Sequence, residues 1–377
     1  MKSHIYADNA ATTKLSEKAM EAMLPWLTDE YGNASQSYAF SRKPKQALGE
    51  ARAIIAECIG AAPEEIYFTS GGTESNNWVI RNANLNNGKK SGIITSSIEH
   101  HAVLNACKFE EEYRGRKVQL LPVSKDALIN PDDLIHAVSP EDGLVSVMLA
   151  NNEVGTIEPV KYLAEIAHEK GLLFHSDAVQ AIGHIPVNVN ELGVDFLSSS
   201  AHKFNGPKGI GFLYIKKGVT IPSLFSGGKQ ESGMRAGTEN IAAIAGMAAA
   251  LAENVEEMQV IQERISQLES LLLTKLDLLS VDYVRNGTPN HIPGNISLSF
   301  KENDGEAIMH RLDLMGISIA TGSACDSKNT QISHVLKAMG MEDTSAKGTI
   351  RISLGRYNTT EDVSSIAAAL QKVLSQH

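Results

Sequence analysis

The chain has 377 residues, 42 % hydrophobic and 21 % charged, an ordinary globular composition with length for one large and one small domain. Its net charge of −10 offers no basic footprint for DNA or an anionic membrane surface, which points to small molecules and proteins as partners. The start, Met1-Lys-Ser-His-Ile-Tyr-Ala-Asp8, has no apolar run of signal-peptide length, and no stretch reaches the roughly 20 apolar residues of a membrane helix, so a cytoplasmic location is expected.

In chain order, Asp8 to Thr13 reads as a polar, small-residue loop, and Ser16 caps an amphipathic helix that runs to Leu27. A second helix is expected over Lys45 to Ile59, with Cys58 in its core. From Glu65 onward short apolar runs alternate with helical patterns. Strands are expected at Ile66–Thr69, Gly92–Thr95, Val118–Leu121, Leu144–Leu149, Leu172–His175, Phe196–Ser198 and Gly211–Ile215. Helices begin near Glu74, His101 and Lys161. This alternation predicts βαβ units and a mostly parallel seven-stranded sheet with both faces covered. A small-residue run, Ala242 to Ala252, precedes a long helix, Val260 to Leu279. Then come strands at Asn295–Phe300, Ile317–Ile319 and Thr349–Ser353, and helices at Gly305–Met315, Ile332–Met339 and after Thr360, a smaller α+β unit. The expected large domain spans residues 14–255, and the small one takes 1–13 and 256–377.

The residues that carry chemistry sit at strand ends. Lys203 lies in Ser198-Ser-Ser-Ala-His202-Lys203-Phe-Asn-Gly206-Pro-Lys-Gly209-Ile-Gly211, where glycines and a proline constrain the turn around it. Asp177 ends the apolar strand upstream. An acid and a lysine at the ends of two strands of one sheet suit pyridoxal 5'-phosphate: the acid pairs with the pyridine nitrogen and the lysine forms the Schiff base. Gly72 and Thr73 open a helix after a strand, which presents backbone N–H groups to a phosphate. His100, entering another helix, could stack on a flat ring, and Asn152 could reach a ring oxygen. Arg351, charged in an apolar strand, needs an anion, supplied by a substrate carboxylate or an internal salt bridge. Arg235 and Thr238 lie in a loop of donors with no evident local carboxylate, which could close on the phosphate of its own or a neighbouring subunit.

The three cysteines, Cys58, Cys107 and Cys325, form neither a disulfide framework nor a metal-ligand spacing, so no metal is expected. Cys58 and Cys107 have apolar neighbours. Cys325, in Thr321-Gly-Ser-Ala-Cys325-Asp-Ser-Lys328, has small polar ones and the access a thiolate nucleophile requires.

Taken together, Gly72-Thr73-Glu-Ser75, Glu99-His100, Asn151-Asn152-Glu153, Asp177-Ala-Val-Gln180, Ser200-Ala-His202-Lys203, Arg235-Ala-Gly-Thr238 and Gly322-Ser-Ala-Cys325 resemble the cysteine desulfurase family, fold-type I enzymes of aminotransferase class V. The resemblance implies a homodimer that removes sulfur from L-cysteine, gives L-alanine and leaves a persulfide on Cys325. A sulfur-acceptor protein, a cluster scaffold or a tRNA-thiolation enzyme, takes that sulfur onward. It assigns Lys203 as the Schiff-base lysine, Asp177 as partner of the ring nitrogen and His100 as stacking group and proton shuttle. Asn152 and Gln180 become ligands of the ring oxygen. Gly72, Thr73, Ser200 and His202 form the phosphate cradle, Thr238 reaches it across the dimer, and Arg351 holds the substrate carboxylate. The chain departs from the family's usual pattern at Gly32-Asn33-Ala-Ser35-Gln36-Ser-Tyr38 and in Thr321.

Overall fold

The computed structural model describes residues 4–83, 90–322 and 332–375. A short strand β1 (Ile5–Tyr6) leads into a strap that ends at α1 (Glu17–Thr28), whose first turn is capped by the Ser16 hydroxyl accepting from the Ala19 amide. After α2 (Arg42–Ile59) the alternation begins: β2 (Ile66–Thr69), α3 (Gly72–Asn82), β3 (Gly92–Ser96), α4 (His101–Arg114), β4 (Val118–Leu121), α5 (Pro131–Ala137), β5 (Asp142–Ser146), α6 (Val160–Glu169), β6 (Leu173–Asp177), α7 (Val189–Leu192), β7 (Phe196–Ser200) and β8 (Gly211–Ile215).

These strands form one seven-stranded sheet in the order β2-β8-β7-β6-β5-β3-β4, in which the ladders of β8 are antiparallel and the others parallel. Its central strands β3, β5, β6 and β7 are almost wholly buried, as a sheet covered on both faces requires. One face packs Ile55, Ile59, Val145, Phe174, Leu197 and Phe212 with α2, α6 and a later helix over residues 241–256; the other packs Trp78, Val103, Leu144, Phe196 and Leu213 with α3 and α4.

The run Ala242–Ala252 forms α8 (Ile241–Glu256), followed by α9 (Met258–Leu278). Helix α8 lies tightly on α1, because a Cβ on Gly246 would stand 2.6 Å from Met23 Cγ and 3.2 Å from the Ala19 carbonyl oxygen. The remaining elements are β9 (Val284–Asn286), β10 (Asn295–Ser299), α10 (Gly305–Leu314), β11 (Ile317–Ser318), β12 (Ala320–Thr321), α11 (His334–Ala338), α12 (Asp343–Lys347), β13 (Thr349–Ser353) and α13 (Thr360–Leu374). Strands β12, β13, β10 and β9 make an antiparallel sheet in that order, covered by α9, α10 and α13 through Leu268, Leu272, Ile308, Ile366 and Leu370. The fold is therefore α/β, a large mostly parallel sheet with a smaller α+β unit attached.

That smaller unit is tied to the large one near the strand ends. Val335 and Leu336 of α11, with Met339 just after it, pack with Ile98, Met148 and Val154. The strap reaches both units: β1 pairs with β11, the Ala10 amide donates to Ser353 Oγ, and the Thr13 amide donates to the His202 carbonyl.

Candidate active site

A cavity of about 440 Å³ opens at the carboxyl ends of the parallel strands, where ligands of open α/β sheets gather. It is lined by residues from both units and the strap. Of the residues expected from the sequence, His100, Asn152, Asp177, Gln180 and Lys203 meet there, together with Gly72, Thr73, Ser200, His202 and Arg351. Thr238 is exposed and does not line the cavity, and Cys325 lies outside the described residues.

Lys203 is set by a tight turn after β7. The Gly206 amide donates to the Ala201 carbonyl, and a Cβ on Gly206 would stand 2.9 Å from that same oxygen, so a residue without a side chain is required. Gly211 closes the turn under a similar constraint, its added Cβ falling 2.3 Å from the Ser199 carbonyl oxygen. The lysine Nζ donates to the carbonyl oxygens of Ala10 (2.6 Å) and Ala11 (2.9 Å) in the strap. Gln180 Nε2 also donates to Ala10 O, at 2.9 Å.

Asp177 ends β6 with both carboxylate oxygens engaged. Asn76 Nδ2, from α3, donates to Oδ2 at 2.6 Å, and the Val179 amide donates to Oδ1 at 3.0 Å. Asn76 is a site residue that sequence reasoning missed, since an asparagine two residues past a Gly-Gly-Thr-Glu helix start carries no distinct signal. Its Oδ1 is buried in the cavity wall without a partner.

His100 caps α4 through Nδ1, which accepts from the Ala102 amide at 3.1 Å. That bond fixes the neutral tautomer with hydrogen on Nε2, and burial pushes the imidazole pKa below its usual value. His202 is likewise pushed down, to about 4, first by burial and then by Lys203 and Lys208; its Nδ1 lies 3.1 Å from Thr12 Oγ1. Beneath His100, Glu99 is buried and raised to about 8, although Ser96 Oγ and the Met148 amide both donate to it.

Arg351 has an internal partner. Its NH2 donates to Asp8 Oδ1 at 2.7 Å and its NH1 to the Asn152 carbonyl at 2.9 Å, leaving the buried Nε unpaired. The expectation for Arg235 needs correction. It does have a local carboxylate, Glu74 of α3, held through Nε (2.8 Å) and NH2 (3.1 Å). With Nε and NH2 both taken by this carboxylate, Arg235 braces the start of α3.

The class-V aminotransferase family model matches residues 5–366. "Cysteine desulfurase IscS" of Dictyoglomus turgidum is 47 % identical over 378 residues, covering 100 % of this chain and 96 % of that protein. The chain belongs to the cysteine desulfurase family. A desulfurase IscS of Methanosarcina thermophila is 43 % identical over 99 % of the chain and 92 % of its own length. Among solved structures, a NifS-like protein superposes with a TM-score of 0.93 at 38 % identity, covering 99 % of this chain and 100 % of that one. One described as SspA in complex with cysteine gives 0.83 at 33 % identity over 94 % of this chain and all of its own.

Cysteine desulfurases of this class use pyridoxal 5'-phosphate, and the residues present fit it. The cavity has the size for a cofactor with an amino acid, an acid and an amine project into it, and α3 begins at its wall. The helix start is kept open by small residues: a Cβ on Gly72 would lie 2.5 Å from Val179 Cγ2, and Gly71 adopts φ +144° with Ser200 Oγ 3.2 Å from where a Cβ would stand. Among the described residues no group of histidines, cysteines and acids could hold a metal, and no helix is long and apolar enough to cross a membrane.

Proposed function

We propose that this chain is a pyridoxal-phosphate-dependent cysteine desulfurase that converts L-cysteine to L-alanine and takes the sulfur as a persulfide on Cys325. The observation that carries the reading is the convergence of Asp177, Lys203 and the start of α3 on one cavity in a chain of this family. Gly72, Thr73, Ser200 and His202 would hold the phosphate, Asp177 the ring nitrogen, His100 the ring face, and Asn152 and Gln180 the ring oxygen. When bound, the cofactor supplies a sink for the electron pair left at the substrate's α carbon.

The chain's own residues then divide the work. Arg351 binds the substrate carboxylate, and its unpaired Nε faces a demand for an acceptor that such a group meets. Lys203 moves the proton at the α carbon. Asp177, its two oxygens each accepting from a donor, would pair with the ring nitrogen and keep the proton there. His100, neutral with hydrogen on Nε2, can pass a proton to or from the departing groups. The Cys325 thiolate attacks the substrate sulfur, so that an S–S bond forms as the Cβ–S bond breaks and its electron pair stays on Cβ. Protonation of that carbon gives alanine.

The family's homodimer would bring Thr238, exposed on this chain, to the neighbouring subunit's phosphate. The persulfide would pass to an acceptor protein serving cluster assembly or tRNA thiolation. The test is to incubate the loaded enzyme with L-cysteine and a reductant and assay alanine and sulfide. Equal release of both is expected. In Cys325→Ser, sulfur transfer is lost while the visible absorbance stays; full cysteine desulfuration by that variant would refute the role of the thiol.

A further inference from the structure

We propose that Glu153 is a positioning residue for the sulfur-transfer step, its Oε2 bonded by Ser333 and packed against Gly322, residues on either side of the segment carrying Cys325. This rests on the reading of Cys325 given above, but the geometry stands on its own residues. Ser333 Oγ donates to Glu153 Oε2 at 2.5 Å, with both residues only 5 % exposed. A Cβ on Gly322 would stand 2.6 Å from that same oxygen and 3.3 Å from Ser333 Cβ. Two points 11 residues apart in sequence are therefore gathered on one carboxylate atom of the large unit.

The atom they share is itself rigidly placed. Asn151 Oδ1 accepts from the amides of Glu153 (2.8 Å) and Val154 (3.1 Å), and Asn151 Nδ2 donates to the Ile98 carbonyl at 3.0 Å. The neighbouring Asn152 carbonyl accepts from Arg351. The turn that presents Glu153 is thus built into the same strand end that lines the cavity, and Ser333 in turn caps α11 by accepting from the Val335 amide at 3.0 Å. Glu153 meets no reacting atom in the assignment above. Lining the cavity near Arg351, it registers the flanks of the nucleophile's segment against the cavity wall. A misplacement near 1 Å costs reactions of this kind on the order of a hundredfold.

The experiment compares Glu153→Ala, Glu153→Gln, Ser333→Ala and the Glu153→Ala/Ser333→Ala double variant as cofactor-loaded enzymes. For Glu153→Ala, kcat for alanine formation should fall between roughly tenfold and a hundredfold. KM for cysteine should stay within about twofold, with unchanged cofactor content and visible spectrum, a split a general loss of structure does not produce. Glu153→Gln keeps an oxygen for the Ser333 hydroxyl and should remain within about threefold of the wild type. The double variant should be no slower than the slower single one, because both remove one shared contact. Wild-type kcat in Glu153→Ala overturns the proposal, as does a parallel fall in cofactor content, a Gln variant as slow as the Ala variant, or additive losses. Should Glu153→Ala not fold, Ser333→Ala and Glu153→Gln carry the same comparison. A wild-type enzyme that makes no alanine from cysteine would instead overturn the functional reading.

Discussion

Glu158 provides a test of the electrostatics behind this fold away from the chemistry. It does not line the cavity; Oε2 accepts from the Ile129 amide at 3.1 Å, while Oε1 is buried without a partner. Burial pushes its pKa from 4.5 up to about 8. Between those two values the unfolded chain has released the proton and the folded chain retains it, so stability falls as pH rises across that window and the loss is complete above pH 8. At about 1.4 kcal/mol per pH unit, this carboxyl makes the fold on the order of 4 kcal/mol less stable at pH 8 than at pH 4.5. Glu158→Gln preserves shape and cannot ionise. Its unpaired amide costs the same at every pH, so that penalty cancels from the pH dependence. Urea unfolding of both proteins at intervals from pH 5 to pH 8 should show the variant gaining on the wild type by roughly 4 kcal/mol. A difference constant to about 0.5 kcal/mol across that range would refute the argument.

Three further outcomes are expected. Lys203→Ala should lose the visible absorption of the bound cofactor; an unchanged band would remove this lysine from its role. Gly72→Ala places a Cβ 2.5 Å from Val179 Cγ2 at the phosphate cradle, and spectrophotometric titration of cofactor into the stripped enzyme should read a loss of affinity of about tenfold, with equal affinities counting against the cradle. If Arg351 holds the substrate carboxylate, Arg351→Ala should raise KM for cysteine by about tenfold or more, measured by alanine production; an unchanged KM would leave that arginine to its internal contacts with Asp8 and the Asn152 carbonyl.

Lys203 and Asp177 were legible because both sit where an apolar run stops, and in a parallel sheet those stops share one edge. The strands Val118–Leu121 and Gly211–Ile215 were legible to the residue, since their apolar runs are bounded by turn-forming neighbours. Helix α8 carries no such signal. Its run of alanines is apolar nearly throughout and buried on most sides against α1 and α2, and alanine runs of that kind carry no polar face to mark a helix. Arg235 and Glu74 are 161 residues apart, and nothing local to either announces the pair. The same holds for Asp8 with Arg351, and for the strap carbonyls that receive Lys203, because main-chain acceptors have no residue type. Sequence therefore pointed to the residues that line the cavity better than to those that hold them in place. The role of Cys325, and the segment around it, lie outside the described residues and rest on the small polar residues beside it and the family.

The strap has a consequence for how the enzyme is made. Asp8 meets a residue 343 positions later, and Ala10 pairs with Ser353. On the ribosome the first dozen residues emerge early but find these partners only after β13 has been synthesised. The large sheet can close before then. Completion of the substrate side is consequently a last and long-range event, slow by its topology. Until it occurs the nascent chain has a formed sheet and an unfinished pocket, in which Asp8 and Ala10 still await Arg351 and Ser353.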